Sequence, residues 1–143
     1  MTEQRILEGG CLCGAIRYQL TGRPSAEGAG YCHCRRCQRS TGAPVVAWVT
    51  YPISALRILQ GTPKTYHSTS KAIRQFCETC GTQLFFGFTE GPADIDISIA
   101  SLDTPENMVP TYHIWTSSQL PWLTIADNLP RFSDDGNDFS PYK

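Results

Sequence analysis

The chain has 143 residues, 41% of them apolar, and a net charge of −1 at pH 7; this fits one domain around one core and excludes extensive disorder or a multidomain array. Twelve Gly and ten Pro favour short elements joined by turns over coiled coils or helical repeats. The longest apolar run, Ala43 to Val49, falls far short of the ~20 residues that cross a bilayer, so no transmembrane helix is expected.

In chain order, the start MTEQRILEGG carries Glu3, Arg5 and Glu8 with no apolar stretch, which predicts a cytoplasmic protein without a signal or transit peptide. Ile16, Tyr18 and Leu20 alternate with Arg17 and Gln19 as in a half-buried strand. A helix fits between Arg35 and Thr41, ahead of Gly42 and Pro44. Val45 to Tyr51 and Leu84 to Phe88 read as strands, Ile73 to Phe76 is a weaker one, and Ile95, Ile97 and Ile99 alternate with Asp94, Asp96 and Ser98. Pro105 to Met108 predicts a single turn and Thr111 to Trp115 a short strand. Prolines recur too often for βαβ units, so the expected fold is all-β, mostly antiparallel, with little helix. One domain is expected over 1–132, followed by a flexible acidic tail over 133–143 unless Phe139 or Tyr142 docks.

Seven cysteines are an odd number, which in a reducing compartment points to metal ligands or catalytic thiols rather than a disulfide framework. They fall into three groups: Cys11 and Cys13; Cys32, Cys34 and Cys37; and Cys77 and Cys80. Gly14 and Gly81 follow the first and last groups, as expected of zinc-knuckle turns in which glycine permits the positive φ. A structural zinc takes four N/S ligands, and a catalytic zinc takes three with one open position. Two partitions compete on spacing alone. Either Cys11, Cys13, Cys77 and Cys80 share one ion while Cys32, Cys34 and Cys37 hold another, or Cys34, Cys37, Cys77 and Cys80 form a ribbon. His33 lies between two ligands, where one ion is hard for all three to reach.

The stretches GGCLCGAIRY, YCHCRRCQRSTGA, FCETCGTQLFF, IASLD and HIWTSSQLPWLTIADNLPRF are similar, in order and over about residues 8–132, to the glutathione-dependent formaldehyde-activating enzymes and their centromere protein V-like relatives. That resemblance implies an Mss4-like zinc fold with Cys11, Cys13, Cys77 and Cys80 on a structural zinc and Cys32, Cys34 and Cys37 on a catalytic one. It also implies a carbon–sulfur lyase acting on a small thiol, glutathione first, and an aldehyde-like electrophile. The competing reading is a non-catalytic binding module in which both metals only stabilise a surface; a fourth protein ligand on the second centre would distinguish it.

Around the second cysteine group, Arg35, Arg36 and Arg39 are placed to balance thiolate charge or attract an anionic thiol. His113 and Trp115 share a strand face and are candidates for lining a pocket, with a structural role expected for His113. Trp48, Trp122, Phe76, Phe85, Phe86 and Phe88 read as core, since no basic residues interleave with them as in a base-stacking surface. Residues 1–77 hold ten Lys/Arg against three acids (+7) and residues 78–143 two against ten (−8). Interleaved in one fold these halves neutralise each other, which disfavours nucleic acid as a partner.

Overall fold

The computed structural model describes residues 5–91 and 93–136. Ten strands and one helix follow in order: β1 (Ile6–Gly10), β2 (Arg17–Thr21), β3 (Ala29–Cys32), α1 (Arg35–Thr41), β4 (Val46–Pro52), β5 (Leu56–Gln60), β6 (Lys64–His67), β7 (Ala72–Phe76), β8 (Gln83–Phe88), β9 (Asp94–Ser98) and β10 (His113–Ile114). They form a three-stranded sheet, β1-β2-β5, and a seven-stranded sheet, β10-β3-β4-β9-β8-β7-β6. Every pairing is antiparallel except the two-residue parallel contact of β10 with β3. The fold is all-β, mostly antiparallel and Mss4-like. No helix among the described residues is long and apolar enough to cross a membrane.

The alternation of β2 sends Tyr18 and Leu20 into the core, where Ile16 joins them against Val49 and Tyr51 of β4, Leu84 and Phe85 of β8, and Ile95 and Ile97 of β9. The intervening residues of β4 and β9, and Phe86 of β8, point the other way, because successive side chains of a strand face opposite sides of its sheet; Leu84 is the extra residue where the β7–β8 register slips. That second face carries a smaller apolar cluster of Cys32, Cys37, Val46 and Trp48, with Cys34, Phe86, Ile114 and Trp115 packed against it.

Helix α1 has the expected bounds, and its ends have clear causes. The Cys34 side chain caps it by accepting from the Cys37 N–H at 3.3 Å. Gly42 ends it with φ 72°, donating its N–H to the Gln38 carbonyl. The expected turn forms as a 3-10 helix at Pro105–Asn107.

Four strands escaped the periodic pattern. In β1, Gly9 and Gly10 replace side chains because a Cβ at Gly9 would overlap the Tyr18 ring. In β3, Gly30 leaves room for the Tyr112 ring. Strand β6 is exposed throughout and β5 nearly so, and neither has a buried face to write an alternation.

The Thr111–Trp115 expectation is corrected. The strand stops at Ile114, and Trp115 takes φ 56°, the one non-glycine positive φ among the described residues, so His113 and Trp115 do not share a strand face. Trp122 is 71% exposed rather than core. Of the acidic tail, Ser133 and Asp134 bond through their carbonyls to Ser117 and Trp115, while Phe139 and Tyr142 lie outside the described residues.

Candidate metal centres and pocket

The loop after β1 and the turn after β7 bring Cys11, Cys13, Cys77 and Cys80 together, their sulfurs all within 4.8 Å of one another. Neighbouring sulfurs lie 3.6 Å apart for Cys11 and Cys13 and 3.8 Å for Cys13 and Cys77. A tetrahedron with metal–sulfur bonds of ~2.3 Å has edges of about 3.8 Å, so the spacing is that of ligands around one ion rather than of disulfides at ~2.05 Å. All seven cysteines are free thiols. The turns are shaped for the purpose: Gly14 and Gly81 have φ of 81° each, and their N–H groups close onto the Cys11 and Cys77 carbonyls. Bonds from the Thr82 hydroxyl and backbone, with the backbone of Cys13, pull the Cys80 thiol down to about 5.

The second cluster comprises Cys32, Cys34 and Cys37, again with all sulfurs within 4.8 Å. Strand β3 delivers Cys32, and the first turn of α1 brings Cys37 back beside its own cap, Cys34. Cys34 is held down to about 2 because it accepts from Cys32 and then from Cys37, with the Cys37 backbone N–H and the Arg74 charge assisting. Cys32 is pushed up by donating to Cys34 and Cys37. Three soft sulfur donors at this spacing suit zinc. No fourth His, Cys, Asp or Glu joins this group among the described residues.

Cys32, Cys34 and Cys37 line a pocket of about 520 Å³ on the second face of the large sheet, a size typical of small-molecule sites. Arg35 and Arg36 line it, whereas Arg39 does not. Trp48, buried in the smaller core cluster as expected, Phe86, packed against that cluster, and Phe88 also build its aromatic side; Phe85 faces the main core. Two sets of charged residues in the lining had not been singled out from the sequence. Arg74, 4% exposed on β7, donates to Ser40 Oγ at 3.1 Å and to Cys37 Sγ at 3.7 Å, and lies 5.0 Å from the Phe86 ring centroid. Glu27, Asp94 and Asp96 line the pocket as well. Burial pushes Asp96 up to about 6, although its Oδ1 accepts from Thr50 Oγ1 at 2.6 Å. The signals were there: Arg74 alternates with Ile73 and Gln75, and the two aspartates alternate with Ile95 and Ile97.

His33 and His113 belong to another arrangement. Both are fully buried; His33 Nε2 lies 2.8 Å from His113 Nδ1, and His113 Nε2 lies 2.8 Å from Asp127 Oδ2. With its proton on Nε2 toward the carboxylate, His113 keeps a lone pair on Nδ1, which accepts from His33 Nε2–H. His33 Nδ1 is then a lone pair, and it has no hydrogen-bond partner. Burial, then the neighbouring His113, lowers the His33 pKa and keeps the ring neutral. His33 is outside the cysteine cluster, and the relay ties the loop after β3 to the segment around Asp127.

Seven free thiols drawn into two clusters of metal-ligand geometry, one of them open to a pocket, define a thiol-centred β protein. The chain belongs to the glutathione-dependent formaldehyde-activating enzyme family, whose sequence model matches residues 6–118. An uncharacterised lyase of Schizosaccharomyces pombe is 34% identical over 85 residues; the match spans 59% of this chain and 59% of the length of that curated relative. The crystal structure of a Rhodobacter sphaeroides protein is similar at 27% identity and TM-score 0.55, covering 67% of this chain and 87% of that one.

Proposed function

We propose that the protein is a zinc-dependent carbon–sulfur lyase that joins a small thiol, glutathione as first candidate, to an aldehyde, with Cys11, Cys13, Cys77 and Cys80 as structural ligands and Cys32, Cys34 and Cys37 as catalytic ones. The observation that supports this reading is the three-cysteine cluster without a fourth protein ligand among the described residues, set in the wall of a pocket. A binding module would gain nothing from an incomplete ligand set at the wall of a cavity.

When bound there, zinc supplies Lewis-acid activation that favours the substrate sulfur as thiolate near neutral pH. The chain supplies the rest. Arg35 and Arg36 present cationic groups at the pocket for the carboxylates of the thiol. Trp48, Phe86 and Phe88 give the apolar wall that restricts the substrate's orientation. In the net reaction the thiol gives up its proton, its sulfur forms a bond to the carbonyl carbon as the carbonyl π bond breaks, and the carbonyl oxygen takes a proton, giving the hemithioacetal, an S-(hydroxyalkyl) derivative of the thiol.

Thiol addition to formaldehyde proceeds without a catalyst, so the adduct alone is no test. Exchange between formaldehyde and S-hydroxymethylglutathione, followed by NMR, should be faster with zinc-loaded wild type than with buffer. It should fall to the buffer rate with Cys34→Ser, checked to be folded. Wild-type exchange no faster than buffer refutes the reaction.

A further inference from the structure

We propose that Arg74 is the positioning cation of the three-cysteine centre: its buried guanidinium supplies the countercharge that allows Cys32, Cys34 and Cys37 to hold a divalent metal together as thiolates. The inference rests on the metal reading of that cluster and adds a residue from a different strand to it.

Three observations carry it. Arg74 is 4% exposed, yet no ion pair joins it to a carboxylate among the described residues. A buried charge without an opposing charge costs several kcal/mol, so it calls for an anionic partner. Its neighbours are the Ser40 hydroxyl at 3.1 Å, the Phe86 ring and Cys37 Sγ at 3.7 Å, and only the sulfur can carry a full negative charge. The anchoring also fixes direction. Phe86 lies beneath the guanidinium and Ser40 engages Nη1, which leaves Nη2 toward the sulfur.

Charge arithmetic gives the consequence. Three thiolates and one divalent ion sum to −1, and the guanidinium brings the assembly to neutrality. A purely structural arginine, held by Ser40 and Phe86, would leave metal affinity indifferent to its charge. The two roles therefore separate on a readout independent of turnover.

The experiment is zinc titration of the full chain against a chromophoric chelator, resolving the two equivalents, for wild type, Arg74→Met, Arg74→Lys and Ser40→Ala. The second equivalent should weaken roughly 10–100-fold in Arg74→Met, as when groups supporting metal ligands are removed. The four-cysteine equivalent, lacking Arg74, should not change and serves as the folding control. Arg74→Lys keeps the charge and should recover most of the loss, and Ser40→Ala, which keeps the charge but frees Nη1, should lose less than Arg74→Met. If Arg74→Met does not fold, Arg74→Gln carries the same expectation, and its comparison with Arg74→Lys decides. Two equivalents of unchanged affinity in Arg74→Met or Arg74→Gln overturn the inference alone, as does a loss in Arg74→Lys equal to that in the neutral variant. Wild type that takes up a single zinc overturns the metal reading beneath it, and the inference falls with it.

Discussion

Asp96→Asn should stabilise the protein near neutral pH and lose that advantage in acid. Asp96 sits on β9, in the pocket-facing register opposite Thr50 and Phe86, and burial raises its carboxyl from 3.8 to about 6. The unfolded chain ionises this group near 3.8, while the folded protein keeps the proton until about 6. Between those values the folded state binds the extra proton, so stability falls as pH rises through the window and the full penalty stands above it. The displacement corresponds to roughly 3 kcal/mol at most, at 1.36 kcal/mol per pKa unit. Asparagine carries no charge and can still accept from Thr50 Oγ1, so it removes the penalty and keeps the bond. Urea unfolding of both chains from about pH 4.5 to 8, at fixed zinc, gives the stability difference as a function of pH. Metal loss at the acid end is common to both and cancels. The mutant's relative stability should climb by about 2–3 kcal/mol across the window, which at pH 8 raises Tm by several degrees. A difference that stays flat with pH, or that falls as pH rises, would refute the reasoning.

Cys77→Ser should leave poorly soluble protein lacking the four-cysteine metal. Zinc in small peptide sites contributes ~10–16 kcal/mol, comparable to a domain's net ~5–15 kcal/mol; a normally melting, metal-free variant in metal analysis would count against that site. In Gly30→Ala the new Cβ meets the Tyr112 ring, and both residues line the pocket. A loss of ~1–3 kcal/mol in thermal melting is expected, as for other overpacked sites, and unchanged stability would mean that the ring is free to move. Asp127→Ala strands the buried His113 Nε2, at a cost of ~1–3 kcal/mol. Asp127→Asn, which can still accept, should recover most of it in urea unfolding, and equal losses in the two variants would show that the bond is not the cause.

Local chemistry was legible where a residue's role is fixed by its near neighbours in sequence. The stop signals after α1 placed Arg35–Thr41, because Gly42 and Pro44 act within one turn, whereas the Cys34 cap emerged only in the structure. The cysteine clusters were legible too, but only as alternatives: C-x-C and C-x-x-C turns present thiols at ligand spacing, and spacing does not say which turns meet. It took the packing of the β1–β2 loop against the turn after β7 to join Cys13 to Cys77 at 3.8 Å. Trp115 went wrong for the converse reason. Its φ of 56° is imposed by the bonds that Trp115 and Thr116 donate to the segment at Phe132–Asp134, far along the chain, and nothing in Thr111–Trp115 announces it.

What was missed in the pocket is a property of the sheet rather than of any strand. Alternation identified Ile95 and Ile97 as one face and left Asp94 and Asp96 for solvent, the ordinary reading for an antiparallel strand with one wet side. Register changes that assignment. Thr50 pairs with Asp96, Asp96 with Phe86, and Phe86 with Arg74, a single row across β4, β9, β8 and β7. At ~4.8 Å per strand, the backbones of Asp96 and Arg74 stand about 10 Å apart with Phe86 on the strand between them. The same row borders Cys37 at its Arg74 end. A polar residue on the second face of such a sheet is therefore part of a built wall, and its partner is the residue opposite it in register, on a strand up to 46 positions away.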